Sequence, residues 1–280
     1  MPEVSEVALT VDILDKYVTN KKLSFIVIKS GRYTKKPPES LKEFEKNLPM
    51  KLVKVDSMGK FMWFEFKTVD GDDWYMWNTL GLTGMWSITE PPNFRVAFLF
   101  NKRIIYFSDT RNFGTIKFSN DITALGKKIK ELTPDFLKTP NFSLVKIQTY
   151  KIPIIKILMD QHKVGSGLGN YLTAEILYRA KISPWRLGSK ISNQELIKLK
   201  YWIKYVVKLA YVDNHTGYMT NLESEANKIK RKKYHPGIKL KEKTFQFMVY
   251  RCKTDPYGNK VKADEIIKGR TTYWVPKIQK

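Results

Sequence analysis

The spacing of apolar residues changes three times along this chain. Between residues 5 and 18, Val7, Leu9, Val11, Ile13, Leu14, Tyr17 and Val18 recur in a mixed pattern that predicts a short amphipathic helix. From residue 23 to 119 the pattern is that of strands. Segments 23–29, 50–55, 60–66, 74–80, 94–100, 103–108 and 114–118 are rich in β-branched and aromatic residues. Turn signals such as Asp70-Gly71-Asp72 and Pro91-Pro92-Asn93 separate them. Short strands at this spacing suggest a β-sandwich or a barrel. Beyond residue 120 helical spacing takes over, at 125–132 and, after a break at Thr133-Pro134-Asp135, at 141–147, 154–161, 172–180 and 195–212. Residues 214–243 are polar and basic. Strand signals return at 245–250, followed by a turn at Pro256-Tyr257-Gly258-Asn259 and a last strand at 271–275.

The expected fold class is therefore α+β in two domains. A β domain with an N-terminal helix covers 1–120, a connector 121–140, a helical domain 141–243 and a terminal hairpin 244–280. A length of 280 residues fits one large or two ordinary domains, and 42% apolar residues can fill their cores. Charge narrows the function. Fifty Lys and Arg against 27 Asp and Glu give +23, the electrostatic footprint of a nucleic-acid binder, although a lysine-rich solvated surface would give the same sum. The run Lys-Ile-Lys-Arg-Lys-Lys at 228–233 reads as a targeting signal or as a solvated or DNA-facing loop. Cys252 is the only cysteine, which excludes an intramolecular disulfide and a cysteine zinc site and suits a reducing compartment. The first residues lack the basic region and apolar core of a signal peptide, and no 18-residue apolar run exists. The expectation is an intracellular protein with access to DNA and no membrane partner.

Two stretches carry chemistry. Met1-Pro2-Glu3 would yield a free prolyl amine once the methionine is removed. An α-amine titrates near about 8, well below lysine, so part of it is an unprotonated nucleophile at neutral pH. The next residue, Glu3, can give and take a proton beside it. Met-Pro-Glu is also an ordinary way to begin a protein. Gly165-Ser166-Gly167-Leu168-Gly169-Asn170 lies between helical stretches. Its glycines permit a tight double turn, and Asn170 opens a helix whose unpaired amides favour a phosphate. A ligand-free helix connection would look the same.

With these stretches the chain resembles the formamidopyrimidine-DNA glycosylase / endonuclease VIII family of bifunctional DNA repair enzymes. The matching motifs run in order: Pro2-Glu3-Val4-Ser5-Glu6-Val7; Gly59-Lys60; Leu80-Gly81-Leu82-Thr83-Gly84; Asp109-Thr110-Arg111-Asn112-Phe113-Gly114; the segment from Gly167 to Glu175; and Gly269-Arg270-Thr271-Thr272. The resemblance implies a β-sandwich, a helix–two-turn–helix domain and a C-terminal hairpin. Bacterial members commonly end in a zinc finger with two cysteine pairs. Here Val275-Pro276-Lys277-Ile278 stands where the last pair would lie, and His162, His215 and His235 are too scattered to replace it. The hairpin is similar to the zincless finger of Nei-like enzymes and is expected to hold by packing, with Phe247, Tyr273 and Trp274 as its cement. No metal and no cofactor is expected.

The resemblance also implies roles. Pro2 would attack C1′ of the damaged nucleotide, Glu3 would donate a proton for sugar-ring opening, and Glu6 would orient the amine. Lys60, Asn170 and Arg270 would hold phosphates, with Lys60 counted among the catalytic residues as well. Leu82, Arg111 and Phe113 would fill the gap left by a flipped base. The implied partner is duplex DNA bearing oxidised bases or abasic sites, with single-stranded DNA as an alternative, bound by a monomer. A basic RNA-binding protein would explain the charge but not these motifs. The stretch Asp213-Asn214-His215-Thr216-Gly217-Tyr218-Met219 shows no counterpart of the Gly-Gly-Thr-Thr-like loop that caps 8-oxoguanine in some members. Oxidised pyrimidines and hydantoins are therefore the expected lesions. The alternatives are a glycosylase preferring 8-oxoguanine or formamidopyrimidines, and a non-catalytic damage binder on the same scaffold.

Overall fold

The computed structural model describes residues 2–213, 234 and 237–280. The basic run 228–233, His215, His235 and the stretch 214–219 lie outside the described residues. The described chain forms two compact units. One contains Pro2 and Glu6–Lys130; the other contains Glu3–Ser5, 131–213, Tyr234 and 237–280.

Helix α1, Val4–Val18, differs from the amphipathic helix expected. Residues 4–14 are all buried, including the polar Ser5, Glu6, Thr10 and Asp12. A helix buried on every side reads as mixed spacing because no face is left to solvent to set an apolar period. The strands of the first unit are β1 (Lys22–Ile28), β2 (Met50–Met58), β3 (Phe61–Lys67), β4 (Asp73–Thr79), β5 (Gly84–Ser87), β6 (Phe94–Phe100), β7 (Arg103–Asp109) and β8 (Thr115–Ser119). They form one antiparallel sheet in the order β5-β7-β6-β1-β2-β3-β4-β8. The sheet folds over on itself. Trp86 of β5 lies 5.4 Å from Phe64 of β3, several strands away in the hydrogen-bonded order, and its indole N–H donates to Asn78 Oδ1 of β4 at 3.0 Å. Phe98 and Phe107 close this aromatic cluster, which is the core of a β-sandwich. Two short helices, α2 (Arg32–Lys35) and α3 (Leu41–Glu45), follow β1, and Phe44 of α3 packs on Phe66, Trp74 and Phe118. Helix α4 spans Ile122–Glu131.

The second unit is mainly helical: α5 (Ile154–Leu158), α6 (Asn170–Ala180) and α7 (Asn193–Asp213). The helix expected at 141–147 is instead a 3₁₀ turn at Val145–Thr149, and that expected at 154–161 stops at Leu158. A capping box starts α7: Glu195 N–H donates to Ser192 Oγ and Ser192 N–H to Glu195 Oε2. Lys181, at φ +60°, ends α6, its N–H returning to the last turn. The terminal hairpin pairs β9 (Lys262–Ile267) with β10 (Arg270–Trp274). The strand expected at 245–250 is absent, because its amides bind a side chain and not another strand. Among the described residues no helix is long and apolar enough to cross a membrane.

Candidate active site

In the second unit the site is organised by the turn before α6. Gly167 has φ +108°, and a Cβ there would stand 2.4 Å from Cβ of Val4. Val4 N–H donates to Gly167 O at 3.0 Å. Glycine is therefore required for segment Glu3–Ser5 to lie on this turn. Gln161 shapes the turn from within, accepting Gly167 N–H at 2.7 Å and donating to the carbonyls of Met159 and Leu168.

The consequence is the position of Glu3, which is 1% exposed. Its carboxylate accepts N–H groups from Gly169 (2.5 Å), Tyr171 (2.9 Å) and Leu172 (3.3 Å). These are amides that a helix cannot satisfy internally, and the N-cap residue Gly169 has no side chain to serve them. A carboxylate remote in sequence thus caps α6, where the helix dipole favours negative charge. Asn170, between those donors, sends Nδ2–H to Thr271 O at 2.7 Å. That bond ties the start of α6 to β10. The neighbour of Thr271 is Arg270, exposed at the hairpin turn after Gly269, whose φ is +74°. Glu3, Asn170 and Arg270 are therefore brought together.

Sequence reasoning missed Glu175. It is fully buried, and its carboxylate accepts the N–H groups of Met248, Val249 and Tyr250 at 2.9–3.0 Å. Burial pushes its carboxyl above the ordinary range, against these amides and Arg179, which pull it down. A lone acid within the apolar run from Tyr171 to Leu177 was the available signal. The hairpin also departs from packing alone. Phe247, Tyr250 and Tyr273 do pack in sequence, tilted and edge-on, with ring centres 5.2–5.3 Å apart. Buried Asp255, however, accepts the N–H groups of Tyr257 and Asn259, the Asn259 amide and the Tyr178 hydroxyl. Asp264 accepts the indole N–H groups of Trp274 (2.7 Å) and Trp185 (3.1 Å). Among the described residues no group of three or more His, Cys, Asp and Glu is placed to hold a metal.

In the first unit, Pro2 and Glu6 are buried beside and within the first turn of α1. Lys60 is half-buried in the two-residue turn joining β2 to β3, after Gly59 at φ +58°. Leu82, Arg111 and Phe113 are brought together on two adjacent turns. Leu82 lies between β4 and β5; Arg111 and Phe113 lie between β7 and β8. Gly81 has φ +60°, and a Cβ there would meet the Phe113 carbonyl carbon at 2.6 Å, so the two turns touch backbone to backbone. Phe113 is 52% exposed, and the Arg111 guanidinium sits 5.0 Å from its ring centre.

Three family models match consecutive parts of the chain: the N-terminal domain of formamidopyrimidine-DNA glycosylase at 1–116, its H2TH domain at 132–221 and its C-terminal domain at 236–280. A formamidopyrimidine-DNA glycosylase from Cytobacillus firmus is 31% identical over 71% of this chain and 74% of its own. The chain belongs to the formamidopyrimidine-DNA glycosylase family. Another relative of that name, from Geobacter metallireducens, is 27% identical over the whole of both chains. The fold agrees with solved glycosylases. MutM in complex with DNA containing carbocyclic 8-oxo-G superposes with a TM-score of 0.77 at 20% identity, covering both chains fully. The Lactococcus lactis glycosylase with DNA containing an oxidised pyrimidine gives 0.79 at 19% identity, again over both full chains.

Proposed function

We propose that this member of the formamidopyrimidine-DNA glycosylase family excises oxidised bases from DNA and then nicks the strand at the resulting abasic site. Membership in the family carries the coarser part, a DNA glycosylase of base excision repair acting on damaged DNA. The observation that carries the finer part is Glu3, clamped on the start of α6 by Gly169, Tyr171 and Leu172. This carboxylate follows Pro2 in the chain and is flanked by Asn170.

In the proposed reaction the flipped nucleotide offers C1′ to the Pro2 nitrogen. The C1′–N bond forms as the glycosidic bond breaks, and the base leaves with a proton. Glu3 protonates the ring oxygen O4′, the sugar opens, and the prolyl nitrogen gives up its proton to leave an iminium. Loss of a C2′ proton then expels the 3′ phosphate, and a second elimination expels the 5′ phosphate. Lys60, Asn170 and Arg270 hold the flanking phosphates, for which the planar guanidinium of Arg270 is well suited.

Phosphate contacts of this kind set the salt dependence of binding, each contributing a slope of about −0.9 in log K against log salt. Lys60→Ala and Arg270→Ala are each expected to weaken binding and flatten that slope by roughly one unit. Unchanged slopes in both would place these cations away from DNA.

For the lesion, we propose a preference for oxidised pyrimidines and hydantoins. Thymine glycol and dihydrouracil stack poorly and flip at lower cost, so a chain whose sequence at 213–219 carries no Gly-Gly-Thr-Thr-like motif is expected to select them by ease of extrusion. The names of the relatives favour a second reading, in which formamidopyrimidines and 8-oxoguanine are preferred. Single-turnover rates on matched duplexes separate the two. Faster excision of thymine glycol than of 8-oxoguanine opposite cytosine supports the first; the reverse order supports the second.

A further inference from the structure

The turns bearing Leu82, Arg111 and Phe113 have little apolar anchorage, with Arg111 and Phe113 exposed and Leu82 half-buried. What fixes their spacing is polar. Asp109, at the end of β7, is 1% exposed and sends one carboxylate oxygen to each turn. Oδ1 accepts the Thr83 hydroxyl at 2.5 Å, beside Leu82, and Oδ2 accepts Gly114 N–H at 2.6 Å, beside Phe113. The Thr83 oxygen in turn accepts Arg111 N–H at 3.1 Å, so one hydroxyl links the first turn to both the carboxylate and the second turn. Arg95 braces the base of the second turn through the carbonyls of Asp109 (2.9 Å) and Thr110 (3.4 Å), and Arg32 donates to Asn112 O at 3.3 Å.

We propose that Thr83 and Asp109 are positioning residues that lock these two turns into a preformed wedge for the gap left by the flipped base. The inference rests on the glycosylase reading and deepens it. A wedge held in its inserted geometry loses little conformational freedom on entering the duplex, so it lowers the cost of base extrusion. It has no such work to do at a site that already lacks a base or in a strand that is not stacked in a duplex. The lock therefore acts on stacked lesions and not on the later chemistry.

The test uses the full chain and three substrates: 5-hydroxycytosine in a duplex, the same lesion in single-stranded DNA, and a preformed abasic site in a duplex. Thr83→Val removes the hydroxyl at constant shape; Thr83→Ser keeps it. Thr83→Val is expected to slow single-turnover excision from the duplex about tenfold, the scale of one lost charge-assisted hydrogen bond. It is also expected to reduce the fluorescence rise of 2-aminopurine beside the lesion on binding. Single-strand excision and abasic cleavage should stay within about twofold of the parent, and Thr83→Ser should restore duplex excision. Asp109→Asn, which turns one acceptor into a donor, should follow Thr83→Val. Equal losses on all three substrates, or no loss on the duplex, would overturn the wedge lock. A parent protein that excises no base would instead overturn the glycosylase reading, and the inference with it.

Discussion

Blocking the Pro2 nitrogen, by retaining Met1 or by acetylation, is expected to lower base excision and abasic-site cleavage together by about three orders of magnitude or more. In the proposed reaction both steps need the same secondary amine, since the iminium formed at C1′ is the product of the first and the starting point of the second. Binding to abasic-site DNA should change far less, because the phosphate contacts assigned to Lys60, Asn170 and Arg270 remain. The two effects are read from single-turnover kinetics and from titration of the same duplex. An acetylated protein that still cleaves abasic sites at the parent rate would assign the nucleophile elsewhere. One that neither cleaves nor binds would show a fold disturbed at its first residues.

Glu3→Gln is expected to lose about 10²–10⁴-fold in excision of intact lesions, the usual range for removal of a positioned general acid. Cleavage of preformed abasic sites should fall much less, because an abasic sugar opens to its aldehyde in water without the proton that Glu3 supplies to O4′. The geometry adds a structural cost. Glu3 accepts amides from Gly169, Tyr171 and Leu172 with both oxygens, and glutamine must turn an NH₂ group toward one side of that set. Thermal denaturation should therefore show a modest loss of stability accompanying the kinetic one. Equal losses on intact and abasic substrates would assign Glu3 a purely structural role as the cap of α6.

Most of the sandwich was legible because its strands are rich in β-branched and aromatic residues and are separated by turn signals, even where, as in β3 and β7, most residues are buried. The exceptions have physical reasons. Strand β5 is four residues long and opens with glycine. Strand β9 is Lys-Ala-Asp-Glu-Ile-Ile, largely exposed and therefore without an apolar period to detect. The segment 245–250 has the aromatic alternation of a strand, yet its rings pack on Tyr171 and its amides bind Glu175.

The candidate site was legible at its tips. Lys60, Leu82 and Arg270 each follow a glycine at positive φ, at Gly59, Gly81 and Gly269. A polar or apolar residue presented directly after such a turn leaves a local trace in the sequence. The groups behind the tips leave none. Asp109, Thr83 and Gln161 act through bonds to backbone that is distant or not marked by residue type, so residue type alone gives no sign of their task. Glu3 was singled out for its place beside Pro2, but its function as the cap of α6 depends on a contact 166 residues away in sequence.

The central claim is amine catalysis at Pro2, and borohydride reduction with the protein on a duplex containing one abasic site tests it most directly. Borohydride converts the iminium to a stable amine, and digestion with mass spectrometry locates the sugar on the protein. The account predicts a covalent adduct in high yield, carried by the N-terminal peptide beginning at Pro2, and little adduct from acetylated protein. An adduct on a lysine-bearing peptide, or efficient trapping by protein with a blocked N-terminus, would contradict it.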